Sequence, residues 1–345
     1  MSGGYHSPSA PTMLLGQSSP FGSARRIVAG LGMTGIVCGA ALLLSSACVA
    51  APPAPAPIPG DATIAVLDAG RPDSLATDSI PTPPATVSEP RESPTLVERA
   101  KHSTVNLLSD GWWVFSSPAR LNRRSVIGAA VVLGATAVLY QYDDEIYEAT
   151  QRNKDEQPFK ALIDFADSYV QIGFMPNAFK AEAGVAVVGY AFKSEPLKQI
   201  PIELIESHII AGTLRNILKP VVGRAHPSEN LGPYHFDFGN GTSFPSGHTS
   251  VLFEIATVVS EHLHSTPVAA ALYAAATLGA VQRVESQNHW PTDVFIPAVT
   301  GTLIAHTVVH RNAERRARDA SSQSGWTPMF DVAPGGLRVG VSRGF

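Results

Sequence analysis

Eight stretches between residues 95 and 310 place apolar side chains at helical spacing, and strand-like alternation is scarce along the chain. They are 95–108, 125–140, 159–172, 181–192, 202–218, 249–262, 267–281 and 292–310. In the fifth, Ile202, Ile205, Ile209, Ile210, Leu214, Ile217 and Leu218 recur at the i, i+3, i+4, i+7 spacing of a helical stripe. This pattern predicts an all-α helical bundle. One short strand is expected at the C-terminus, where Leu337, Val339, Val341 and Phe345 alternate with small or polar residues.

The chain has 345 residues, enough for two domains by length, but its first hundred lack a core-forming pattern. Residues 51–94 hold eleven prolines among Ala, Thr, Ser and Asp, a composition that cannot bury enough surface to offset chain entropy. Before that linker, Arg25-Arg26, an apolar run to Leu44 and Ser45-Ser46-Ala47-Cys48 form the three regions of a secretory signal. A single membrane anchor is the other reading, and Cys48 after small residues admits a lipoprotein cysteine. The expected organisation is therefore a signal peptide or N-terminal membrane anchor at 1–50 and a disordered linker at 51–94. A helical domain follows at 95–315, with its motifs in 201–310, and then a tail at 316–345. Export to the periplasm or cell envelope follows from the signal.

Cysteine occurs only at Cys38 and Cys48, so the helical domain has no thiol or disulfide chemistry. A net charge of −4 gives no basic field for nucleic acid. The apolar runs, about 12–16 residues, fall short of the roughly 20 that cross a bilayer. They are expected to be buried core helices, with short membrane spans as the alternative.

Three polar patches interrupt the helices. The first runs from Lys219 through Arg224 to His226-Pro227, where Pro220 and Gly223 end a helix and leave two permanent cations at its terminus. Arg grips phosphate oxygens through two donors and Lys adds a point charge. The second is Phe244-Pro245-Ser246-Gly247-His248, a turn running into an apolar helix whose unpaired N–H groups favour an anion. Ser246 offers a hydroxyl there, Gly247 permits close backbone approach, and His248 is placed to give a proton to a leaving alkoxide. The third holds Arg283, His289 and Asp293. Pro291 suits the first position of a helix, so Asp293 lies in its first turn, within reach of the His289 imidazole. A carboxylate so placed would fix the tautomer and leave the other ring nitrogen nucleophilic. A metal site built from His248, His289 and Asp293 is disfavoured by the neighbouring cations.

In order and spacing the patches resemble the signature of the type-2 phosphatidic acid phosphatase and vanadium haloperoxidase superfamily: K-x6-R-P, P-S-G-H and S-R-x5-H-x3-D. Two positions depart from it. His226 stands where the first part has arginine, and Gln282 where the third has serine. The resemblance spans residues 201–310 and implies an all-α bundle with its site at one end. It implies a metal-independent phosphomonoesterase with no cofactor, acting on lipid phosphates or small phosphate esters. His289 would attack phosphorus to form a phosphohistidine, with Asp293 supporting its ring. His248 would protonate the leaving alcohol, and Lys219, Ser246, Gly247 and Arg283 would bind phosphate beside Arg224 or His226. The alternatives are a haloperoxidase that holds vanadate in the same cradle and a decayed anion-binding envelope protein.

Overall fold

A computed structural model describes residues 96–323, 326–333 and 336–343. The expected signal, the linker and the last residues of the tail lie outside the described residues. The architecture is an all-α bundle. Its helices are α1 (Leu96–Phe115), α2 (Arg123–Gln141), α3 (Asp143–Asn153), α4 (Phe159–Tyr169), α5 (Met175–Ala191), α6 (Glu195–Val222), α7 (Gly247–Leu263), α8 (Thr266–Glu285) and α9 (Pro291–Gln323). A 3₁₀ turn at Val170–Gly173 joins α4 to α5.

The central helix is α7, on which α6, α8 and α9 pack. Small residues allow close approach: Ala256, Ala276 and Ala280 meet Leu252, Phe253 and Val284 in one core cluster. Further along, Ile200 and Leu204 of α6 meet Val258, Ala305 and Val309. Gly301 of α9 lies so close to α7 that a Cβ there would sit 3.0 Å from the Ser250 carbonyl oxygen.

The structure departs from the sequence reading at three places. The run in α2 is not a core helix: none of its residues is buried, and Val126, Ile127, Val131, Leu133 and Val138 are 51–66 % exposed. Few neighbours cover this helix, and its 19 residues make it one of two described helices long and apolar enough to cross a membrane. The other is the largely buried Pro291–Ala320 portion of α9. Second, α3 has no apolar stripe strong enough to announce it. Three acids, Asp143, Asp144 and Glu145, occupy its first turn and interact favourably with the positive end of the helix. Third, the expected C-terminal strand, β2 (Gly336–Arg343), has an antiparallel partner, β1 (Trp326–Ala333), in a register from Trp326↔Arg343 to Ala333↔Gly336. Thr327 and Pro328 break up the alternation that would have marked β1.

Candidate active site

The site forms where the C-terminal end of α6, the loop 223–246, the first turn of α7 and the α8–α9 turn meet. Helix α6 carries Lys219 in its last turn and stops at Gly223, whose φ of 62° is left-handed. A Cβ at Gly223 would lie 2.2 Å from the Asp237 carbonyl oxygen, so only glycine fits. The loop then folds back on itself. Asp237 N–H donates to the Gly223 carbonyl (2.6 Å), Ala225 N–H to His235 (3.1 Å) and Ser243 N–H to Arg224 (2.9 Å). Ser246 caps α7, and its backbone N–H donates to the Asp293 carbonyl at 2.8 Å. That bond ties the second patch to the third, and Pro291 opens α9 as its position predicted.

Five of the expected residues share this site. The rings of His226 and His289 have centroids 5.5 Å apart. Lys219 Nζ donates to the Thr242 carbonyl, and His226 Nδ1 donates to the Asn288 carbonyl. Burial holds the His289 imidazole well below its ordinary pKa, and the charges of Arg283, His226 and Lys219 add to the effect. His248 is pushed down to about 4 by burial, then by Arg283 and Arg215. Burial and the neighbouring Arg215 likewise lower Lys219. Both catalytic candidates are therefore neutral imidazoles in a cationic pocket, kept uncharged first by burial and then by the positive groups around them.

Two expected roles are corrected, and a third residue has an added one. Arg224 is only 2 % exposed and its guanidinium is fully used. Nη1 donates to Thr292 Oγ1 (2.7 Å) and Asp293 Oδ1 (2.8 Å), Nη2 to Asp143 Oδ2 (2.7 Å), and Nε to the Pro233 carbonyl (2.8 Å). No donor is left for phosphate. Asp293 does not bond His289: its oxygens accept from Arg224, from Ser243 Oγ at 2.5 Å and from Trp290 N–H at 2.9 Å. A guanidinium offers the carboxylate a charge-assisted bond that a neutral imidazole cannot match. His289 Nδ1 is consequently buried with no hydrogen-bond partner. Ser246 is fully buried, and its oxygen accepts from Thr249 as the helix cap. Gln282, at the departing serine position, donates to Asp167 Oδ1 (2.7 Å) and braces α8 against α4.

Arg215 was not foreseen. It lies one turn before Lys219 on α6, and its Nε is 3.4 Å from where a Cβ on Gly247 would stand. No hydrogen bond or salt bridge occupies its guanidinium among the described residues, nor that of Arg283, whose Nε is buried and unpartnered. The i, i+4 spacing to Lys219 was the signal that could have found it.

Residues 201–317 match the family model of the PAP2 superfamily. This segment of the chain is similar to that superfamily. Two solved structures are similar to parts of it at low identity. LpxE of Aquifex aeolicus is 22 % identical, with 48 % of this chain and 93 % of that one covered at a TM-score of 0.36. A transmembrane PAP2-type phosphatidylglycerolphosphate phosphatase from Bacillus subtilis is 18 % identical, with 62 % and 96 % covered at 0.40. No curated protein matches the chain. In this PAP2 segment the arginine of the first motif is replaced by His226, and Arg215 brings a guanidinium to the same cradle from the preceding helical turn.

Proposed function

We propose that the chain is a metal-independent phosphomonoesterase that hydrolyses lipid phosphates at the outer face of a membrane. One observation carries this reading: the charges of Arg215, Lys219 and Arg283 bear on His248 and His289, and the carboxylate of Asp293 is already committed to Arg224. Such a pocket attracts a tetrahedral dianion, and phosphoryl transfer needs mainly positioning and charge stabilisation. In the proposed reaction a His289 ring nitrogen attacks phosphorus. The P–O bond breaks, and the leaving alkoxide takes a proton from His248, protonated once the dianion is bound. Water activated by His248 then hydrolyses the phosphohistidine and frees His289. Asp293 acts as a positioning residue, holding the His289 turn through Trp290 N–H and Arg224.

Two features favour a lipid over a soluble ester. A shallow apolar crevice between α6 and α9 is lined by Ala211, Leu214, Leu218, Ile296 and Ile304, with Arg215 and Pro245 also in its wall. The exposed apolar flank of α2 suits a bilayer, which we read α2 and α9 as crossing. Charge gives the orientation. Arg311 and Arg315 pair with Asp110, and Arg316 with Glu203 near the start of α6, so the end of α9 lies opposite the site. Arg120 precedes α2 and Arg123 and Arg124 open it at that same end, whereas Asp143, Asp144, Glu145 and Glu148 gather at the site end. Basic residues favour the cytoplasmic side, which leaves the site outside.

The test is hydrolysis of phosphatidic acid and of an aryl phosphate, with and without EDTA, by the wild type and by His289→Ala. Turnover that ignores EDTA and vanishes in His289→Ala is expected, with vanadate inhibiting. Loss of activity on chelation would sink the metal-free mechanism. Leu214→Trp, which fills the crevice, should depress phosphatidic acid turnover and spare the aryl ester.

A further inference from the structure

We propose that Glu261, His306 and His310 bind a divalent transition-metal ion of the zinc kind, at the end of the bundle away from the phosphate cradle. His306 and His310 lie one turn apart on α9, with ring centroids 4.1 Å apart. Glu261 reaches them from the last turn of α7. His306 Nδ1 is 2.8 Å from Glu261 Oε1, and His310 Nε2 is 3.9 Å from Oε2. One ligand atom from each of the three residues can be chosen so that all lie within 4.8 Å of one another. Zinc bonds of about 2.0–2.2 Å put tetrahedral ligands roughly 3.3–3.5 Å apart, so small side-chain rotations would close this set on an ion.

The chemistry selects among cations. Two imidazoles and one carboxylate suit zinc and its neighbours, whereas calcium and magnesium prefer all-oxygen shells. The blander account is a carboxylate hydrogen-bonded to a histidine pair. It leaves His310 Nε2 buried without a hydrogen-bond partner, an unsatisfied atom on the Glu261 side that an ion would satisfy. No lysine or arginine forms a salt bridge with Glu261 among the described residues, so its charge is not already neutralised by a permanent cation. All three side chains keep partial exposure, at 23 %, 30 % and 41 % for Glu261, His306 and His310, which admits an ion and a water as fourth ligand. Glu261 lies fourteen residues along α7 from Gly247, about 21 Å at 1.5 Å per residue. The ion would therefore take no part in phosphate chemistry. It would clip α7 to α9 where those two helices leave the core.

The experiment uses the full chain, stripped with EDTA, dialysed, and titrated with Zn²⁺ by calorimetry, with Co²⁺ as a spectroscopic probe. One ion per chain, a visible absorption typical of four-coordinate Co²⁺, and a rise in Tm with zinc are expected. His306→Ala/His310→Ala should weaken binding by more than the roughly 10–100-fold that follows loss of an outer-shell partner. It should also abolish the Tm rise. Should the double variant not fold, His310→Gln at the most exposed ligand gives the same readout. Aryl phosphate turnover should survive in these variants, so failure here is separable from failure of the proposed reaction. A wild type that takes up no zinc, or zinc affinity unchanged in His310→Gln, overturns the proposal.

Discussion

Two arginines nine residues apart separate binding from folding. Arg215 has a free guanidinium beside Gly247, so Arg215→Ala should lower kcat/KM by roughly 10²–10³-fold, the usual cost of one charge-stabilising donor, and leave Tm nearly unchanged. Arg224 is buried between Asp143 and Asp293, and removing it strands two carboxylates. Arg224→Ala should therefore cost roughly 3–5 kcal/mol in a chemical denaturation experiment. His248 supplies the pH signature. Its pKa of about 4 in the free site leaves it neutral at pH 6, and a bound phosphate dianion favours the charged form. Binding of sulfate, a tetrahedral dianion throughout this range, should thus take up a proton at His248 at pH 6, and its affinity should rise as pH falls from 7 towards 4. Calorimetry in buffers of different ionisation enthalpy measures that uptake, and His248→Gln should remove it.

At the level of elements, the 3₁₀ turn at Val170–Gly173 packs against His248, the proposed general acid, from outside the motifs. A Cβ on Gly173 would meet the His248 carbonyl oxygen at 2.9 Å and its Cα at 3.1 Å, contacts with backbone that cannot rotate away. Gly173→Ala should push the first turn of α7 aside. A misplacement of about 1 Å can cost on the order of 10²-fold, so kcat should fall more than KM rises. Element by element, legibility followed periodicity. The helix of α6 and the turn-to-helix junctions at Ser246 and Pro291 could be read directly, because caps and apolar spacing are local properties, but Ile202, Ile205, Ile209 and Ile217 of its stripe are exposed and do not face the core. Helix α3 and strand β1 could not, since α3 is polar and β1 depends on pairing with a strand further along the chain. Asp143 was hidden for the same reason. It reaches Arg224 only through packing, across 81 residues of sequence.

Across the whole molecule, Arg311, Arg315 and Arg316 pair with acids at one end of the bundle, and the proposed phosphate cradle lies at the other. A single cysteine introduced at exposed Ser228 near the cradle should react with a membrane-impermeant thiol reagent in intact cells, in a background with Cys38 and Cys48 replaced. One at exposed Arg123 should react only after lysis; the reverse pattern would overturn the orientation. Motif spacing alone determined which residues could gather round an anion, because type and order are properties of the chain. The helical class was determined in the same way. Tertiary structure decided how those residues divide the work. Packing brought Asp143 up to Arg224, and that buried pairing drew Asp293 from His289 and removed Arg224 from the cradle. The same helical face that presents Lys219 brought in Arg215. A guanidinium goes to whichever carboxylates the fold buries beside it, and no spacing along a chain reveals which those will be.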